Sequence, residues 1–176
     1  VDINLFRLGQ VINSSDIPAD ELRARFQDVL NETIQNGQAA VQLNRVDPAN
    51  WMAFGRIYAA VIPFNISGAS DLAFDAYKNA EPYSPTSPEP LLAQARIEAG
   101  RNDLPKAKEL LRRANALKSD YVASRFLLAQ VEATTGNMKE AITETQNALF
   151  LSPDDIGILF QLGLLFYQDG QIDNSQ

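Results

Sequence analysis

The chain has 176 residues, 45% of them apolar, with 15 basic residues against 22 acidic ones for a net charge of −7. That is enough apolar material for one domain or a short repeat array, and the negative field disfavours a polyanion such as DNA. The absence of cysteine and histidine excludes disulfides, thiolate chemistry, serine–histidine–acid triads, histidine metal sites and imidazole acid–base steps.

From Asp2 to Asn13, Leu5, Leu8 and Ile12 recur at helical steps, with Gly9 beside Leu8. Ser14, Ser15, Asp16 and Pro18 form a turn with a plausible cap, and Asp20 and Glu21 place negative charge where the next helix dipole favours it. That helix is long. Leu22, Phe26, Val29, Leu30, Ile34, Val41 and Leu43 carry the period to about Asn44, with Gly37 as a weak point costing ~1 kcal/mol against alanine.

Asp47-Pro48 opens the next helix, marked by Trp51, Phe54, Gly55 and Tyr58, and Ala73, Tyr77 and Ala80 mark its partner, with Pro85 beyond. The segment from Val61 to Asp71 separates them as an inserted loop rich in turn residues, yet its Val61, Ile62, Phe64 and Ile66 are too apolar to hang in water. It either folds back onto the edge of its own hairpin or meets a partner. Pro85 then closes one unit, and Pro88 and Pro90 stand in the first turn of the next, where proline is tolerated.

Leu91, Leu92, Ala95 and Ile97, a turn at Asn102-Asp103, and Ala107, Leu110, Leu111, Ala114 and Leu117 make a further hairpin. The most regular unit runs from Val122 to Asp155: Phe126, Leu128, Ala129 and Val131, the turn Gly136-Asn137, then Ala141, Ile142, Thr145, Ala148 and Leu151 up to Ser152-Pro153. Leu159, Leu162, Gly163, Phe166 and Tyr167 begin the last one, with a turn expected at Asp169-Gly170 and a second helix starting at Ile172.

Glu98 and Glu132 fall on apolar faces, so each must reach water or find a partner. Exposure or a surface salt bridge is expected ahead of a catalytic role. The run Arg101, Lys106, Lys108, Arg112, Arg113 and Lys118 is expected to be a solvated helix face. No apolar run reaches the roughly 18–20 residues of a membrane-spanning helix; the segment from Ile156 to Tyr167 is interrupted by Gln161 and Gly163. The chain starts at Val1 without a signal-peptide pattern and stops at Gln176 inside an expected helix, and is read as a piece of a longer protein.

Trp51, Phe54, Gly55 and Tyr58 match the pattern W-x2-L-G-x2-Y with phenylalanine for leucine, and Ala73, Tyr77, Ala80 and Pro85 match its second half. On these residues, and on the recurring helix-turn-helix of about 34 residues, the chain resembles the tetratricopeptide repeat (TPR) family. The resemblance implies an all-α fold, a right-handed α-solenoid of stacked antiparallel helix pairs forming a TPR superhelix. Its units are a divergent repeat over 1–47 with a long second helix, repeats over 48–87 (loop 61–71), 88–121 and 122–155, and a truncated C-terminal repeat over 156–176, all one domain.

The family's first helices line a concave groove. Carried onto this chain, the groove positions are Met52 and Arg56, Leu92 and Arg96, Phe126 and Gln130, and Phe160, Leu164 and Tyr167, with Phe6, Gln10 and Asn13 in the divergent repeat. Family members that grip a C-terminal carboxylate use lysine and asparagine, whereas Met52, Leu92, Phe126 and Phe160 stand here, which disfavours that clamp. An apolar stripe flanked by Arg56 and Arg96 suits an amphipathic helix or extended segment with some acidic character, unless the protein's own flanking helices cover it.

The function implied is a non-catalytic protein–protein interaction scaffold for a protein or peptide partner, with no catalytic residue, cofactor or metal and no nucleic acid. An enzyme would have to work with carboxylates alone, and no pair is singled out. The repeated A-x-I/V-E text at Ala95 to Glu98 and Ala129 to Glu132, with Phe160 to Tyr167, resembles TPR tails that follow multi-span segments in some bacterial membrane proteins. That resemblance implies tethering near a bacterial membrane without insertion of this segment, and gives an alternative role in self-association or assembly. Leu159, Leu162, Leu165 and Phe166 lack an expected cover, so a homodimer through the uncapped C-terminal helices is expected.

Overall fold

A computed structural model describes residues 18–173 and Gln10, with side chains through Gly170. The expected helix from Asp2 to Asn13, with Phe6 and Asn13, and the turn at Ser14 to Asp16 lie outside the described residues, Gln10 excepted. Among the described residues there are eight α-helices and no strand. Successive helices pack as antiparallel pairs that stack within two compact units, dividing after Pro85.

In the first unit, α1 (Ala19–Leu43) starts after Pro18 with Asp20 and Glu21 in its first turn, as the charge pattern predicts. Leu30, Thr33, Gly37 and Val41 form its buried stripe. The Thr33 hydroxyl donates to the Val29 carbonyl at 2.6 Å, which removes the cost of burying it. Gly37 is more than a weak point: a Cβ there would lie 2.7 Å from Ile57 Cδ1 and 2.8 Å from Phe54 Cδ2, so its smallness lets α1 and α2 approach.

The second helix, α2 (Pro48–Val61), is capped by the Asp47 carboxylate, which accepts from the Ala49 N–H at 2.9 Å, with Pro48 at its start. The turn before it is closed by side chains. Asn50 Nδ2 donates to the Ala40 carbonyl at 3.0 Å and the Trp51 indole to the Arg45 carbonyl at 2.8 Å. On α3 (Ala69–Ala80), Ala69, Ala73, Ala76, Tyr77 and Ala80 are buried. The Tyr77 ring fills the space beside Gly55, where any Cβ would collide with it.

The insert is shorter than its expected span, since α2 runs through Val61 and α3 begins at Ala69. Between them a 3₁₀ turn over Ile62–Phe64 leads to Asn65 and Gly68, both left-handed (φ 55° and 77°). The segment folds back on its own unit. Val61 and Ala69 are in the core, Ile62 packs against it, and the Phe64 ring lies 5.4 Å from that of Phe26.

The second unit holds α4 (Glu89–Gly100), α5 (Leu104–Leu117), α6 (Val122–Thr134), α7 (Met138–Leu151) and α8 (Ile156–Asp173), each packed on the next, with α4 also touching α6. Ala95, Ala107, Ala114, Ala129, Ala141 and Ala148 have no exposed surface and form the seams where these helices approach. The two inner turns share one closure. Asn102 and Gly136 take positive φ (63° and 80°), while Asp103 N–H donates to the Glu98 carbonyl and Asn137 N–H to the Glu132 carbonyl, each at 2.9 Å.

The last expected turn does not form: α8 continues through Asp169-Gly170 to Asp173. Glycine permits the left-handed turn without enforcing it, and helix propagation is the default where nothing reverses the chain.

Gly55 and Gly163 occupy the same place in the repeat, yet a Cβ at Gly163 meets nothing within 4 Å. Gly55→Ala is therefore expected to lower the unfolding free energy by about 1–3 kcal/mol through overpacking. Gly163→Ala should leave it unchanged or raise it by up to ~1 kcal/mol through helix propensity. Urea unfolding of the two variants checks the contrast.

Candidate functional site

Glu132 and Glu98 are the titratable groups most suggestive of chemistry, and neither reaches water. Glu132 has 1% and Glu98 4% of its side-chain surface exposed. The Glu132 carboxylate accepts from Lys108 Nζ at 2.5 Å and Arg112 at 2.9 Å, both on α5, and from Asn137 Nδ2 at 2.6 Å. Glu98 pairs with Arg101 and Lys106, each at 3.3 Å. Of the two outcomes expected, exposure does not hold, since both acids are buried, while ion pairing does, with partners that include the exposed Lys106 and Arg112.

Burial pushes the Glu132 carboxyl up, but the hydrogen bonds from Lys108 and Asn137 and the charges of Lys108 and Arg112 outweigh it, and hold the pKa below the usual glutamate range. An ionised acid with both oxygens engaged is a tie between helices. The basic run read as a solvated face is accordingly divided: Arg101, Lys106, Lys108 and Arg112 neutralise these two acids. A further pair, Arg125 with Glu144 at 2.8 Å, links α6 to α7.

The sequence-derived groove residues are placed unevenly. Met52 is half-buried and Arg56 exposed on α2 of the first unit. In the second unit Arg96 and Gln130 are exposed, and Phe126 is half-buried. Leu92 is only 3% exposed, so it packs in the interior and is corrected from groove residue to core residue. Phe160, Leu164 and Tyr167 stand exposed on one face of α8 at four- and three-residue steps. Arg96 lies close enough to Tyr121, just before α6, to offset in part the rise that burial and Glu89 impose on the Tyr121 hydroxyl.

Two clefts escaped the sequence reading. One of about 680 Å³ opens at the α6–α7 turn, where Arg112 and Lys139 face Glu132, Glu140 and Asp169, a mixture that favours neither anion nor cation. The other, about 420 Å³, lies in the first unit beside Trp51, Phe54 and Tyr58, with Arg45 and Leu72 at its rim. Each is walled by side chains from more than one helix, so periodicity, which reads one helix at a time, gives no signal for them. Among the described residues no group of three acidic side chains is placed to hold a metal ion, and no helix is long and apolar enough to cross a membrane.

No family model and no curated protein matches the chain. Solved structures do. MamA is similar with a TM-score of 0.69 at 18% identity, over 86% of this chain and 85% of that one. A thermophilic TPR protein of Thermus thermophilus has a TM-score of 0.69 at 20% identity, over 93% and 89% of the two chains. The first TPR of Spaghetti (RPAP3), bound to the HSP90 peptide SRMEEVD, has a TM-score of 0.62 at 18% identity, over 70% and 94%. The chain has the TPR fold.

Glu132→Gln is expected to lower the unfolding free energy at neutral pH by about 1–3 kcal/mol, because Lys108 and Arg112 lose a charged acceptor. The folded-state pKa of Glu132 is depressed, so its contribution is complete above the ordinary glutamate pKa and is lost as pH falls through the depressed value. The stability difference between wild type and variant should shrink over that acid range in denaturant titrations.

Proposed function

We propose that the chain is a non-catalytic interaction scaffold, and that the second unit takes an amphipathic protein segment of partly acidic character on the exposed side of its first helices. The observation that carries this is the exposed row Phe160, Leu164 and Tyr167 on α8, with Phe126, Gln130 and Arg96 on the two other first helices. Rigid helices hold these side chains at fixed spacing. Apolar anchors at four- and three-residue steps are what a helix or extended segment reads in helix-in-groove recognition.

The Spaghetti TPR bound to SRMEEVD shows that this fold accommodates a short segment rich in acids. Here aromatic and aliphatic side chains stand at the groove positions, so apolar contact supplies the grip and Arg96 the preference for acids. Met52 and Arg56, at the same positions of the repeat on α2, offer the first unit a comparable station.

The reading is tested by probing an array of acidic amphipathic peptides with the wild type and with an Arg96→Glu/Leu164→Glu variant that melts as the wild type does. Peptides bound by the wild type should weaken by about tenfold or more in the variant, or about 1.4 kcal/mol. Equal binding by both proteins, or no binding by the wild type, removes the assignment.

A further inference from the structure

In the cleft of the first unit, polar side chains that the fold does not use gather round an apolar floor. Trp51 and Phe54 of α2, with Leu72 of α3, form that floor. Gln38 and Gln42 stand one turn apart on α1, and Arg45 follows just beyond its end; all three are exposed. Tyr58, only 8% exposed, lines the same cleft, its ring 5.0 Å from that of Phe54.

Among the described residues, none offers a hydrogen bond to the side chains of Gln38, Gln42 and Arg45 or to the Tyr58 hydroxyl. No sealed side-chain nitrogen or oxygen among them lacks a partner, so the Tyr58 hydroxyl, having none, reaches the cleft. Burial pushes its pKa up, and it stays protonated at neutral pH. An apolar floor with a few convergent polar groups is the make-up of a ligand site, and the cleft's volume of about 420 Å³ lies within the range of such sites.

The spacing and chemistry define the ligand. One helical turn sets Gln38 and Gln42 about 6 Å apart along α1, close to the ~6.5 Å at which residues on one side of an extended chain recur. A side-chain amide both donates and accepts, so each glutamine can take one N–H and one C=O of such a backbone. A helical ligand satisfies those groups internally and has none to give. Arg45 is the one charged side chain among the described residues lining the cleft, which calls for a carboxylate.

We propose that this cleft binds an extended segment of a partner protein, read through its backbone by Gln38 and Gln42, with an apolar side chain on the Trp51–Phe54 floor and an acidic residue at Arg45. The site is separate from the groove. At about 100° per residue, the side of α2 that carries Trp51, Phe54 and Tyr58 is turned away from Met52 and Arg56.

Trp51 is the chain's only tryptophan, so its emission reports occupancy of the cleft. Blocked hexapeptides, each carrying one apolar and one acidic residue at varied spacing, are titrated while tryptophan is excited selectively. The best of them should shift the Trp51 emission saturably to shorter wavelength. Gln38→Ala/Gln42→Ala should weaken them at least tenfold, and N-methylation of the peptide backbone should do the same with the wild type. Arg45→Glu should reverse the preference for an acidic over a basic residue. All three side chains are exposed, so the variants should melt as the wild type does, and the N-methylated peptides need no variant at all. No shift with any peptide overturns the proposal, as does undiminished affinity in the glutamine variant or for the N-methylated peptides. The Arg96→Glu/Leu164→Glu protein should titrate as the wild type does; loss of the shift there would place the peptide in the groove and also overturn the proposal.

Discussion

Glu132 carries a full charge on a side chain with almost no exposed surface, and the arrangement of the second unit follows from how that charge is satisfied. Its carboxylate gathers Lys108 and Arg112 from α5 and Asn137 from the turn into α7. Three consecutive elements are fixed by one group. A slip of α6 by a single residue would carry the acid round by about 100° and leave a buried charge beside unpaired cations, an outcome costly enough to exclude neighbouring registers. The Arg125–Glu144 pair does the same within the α6–α7 hairpin, where side-chain exposures of 19% and 12% leave it little solvent screening. Glu98 differs. Its partners Arg101 and Lys106 come from its own hairpin and are partly in water, so it ties the turn without tying neighbouring repeats.

Apolar contact supplies the attraction, and small residues decide where it can act. Alanines without exposed surface line the crossings of α4 through α7, and close approach there brings the larger Leu110, Leu111, Leu128 and Val131 into contact. In the first unit Gly37 and Gly55 do this work against Ile57, Phe54 and Tyr77. Both terms resist a shift along a helix: packing through collisions at the seams, as at Gly37 and Gly55, and the buried ion pairs through a charge left without a partner.

Much of this was legible in the sequence, and the failures share a cause. The three- and four-residue steps located the helices from Leu22 onward and the pairing of first with second helices. Repetition also identified the turns at Asn102 and Gly136. Periodicity states which face a residue occupies and is silent about what stands opposite. Lys108 therefore looked like a solvent-facing charge, although it is largely buried against an acceptor one helix away on α6, whereas Arg112 is exposed as expected and still reaches the same carboxylate. Gly37 looked like a propensity defect for the same reason, because the side chains that need its absence of a Cβ belong to α2. Leu92 was carried over from a family pattern of groove positions, and the packing around it here leaves it in the core. At α8 the difficulty is of another kind: Asp169-Gly170 has the composition of a turn, but composition lowers the cost of a reversal without supplying the contact that makes one.

A repeat fold constrains where function can reside. Each hairpin uses its regular positions to bury the neighbour on either side, so residues that obey the pattern are occupied by the fold itself. What is left to contact another molecule is whatever the pattern leaves uncovered. Among the described residues of the second unit, the large apolar side chains left exposed include Phe160, Leu164 and Tyr167 on one side of α8. Large side chains held at fixed three- and four-residue steps are the kind of surface that helix-in-groove recognition uses, whereas a glycine such as Gly55, filled by the Tyr77 ring, is spent on the fold.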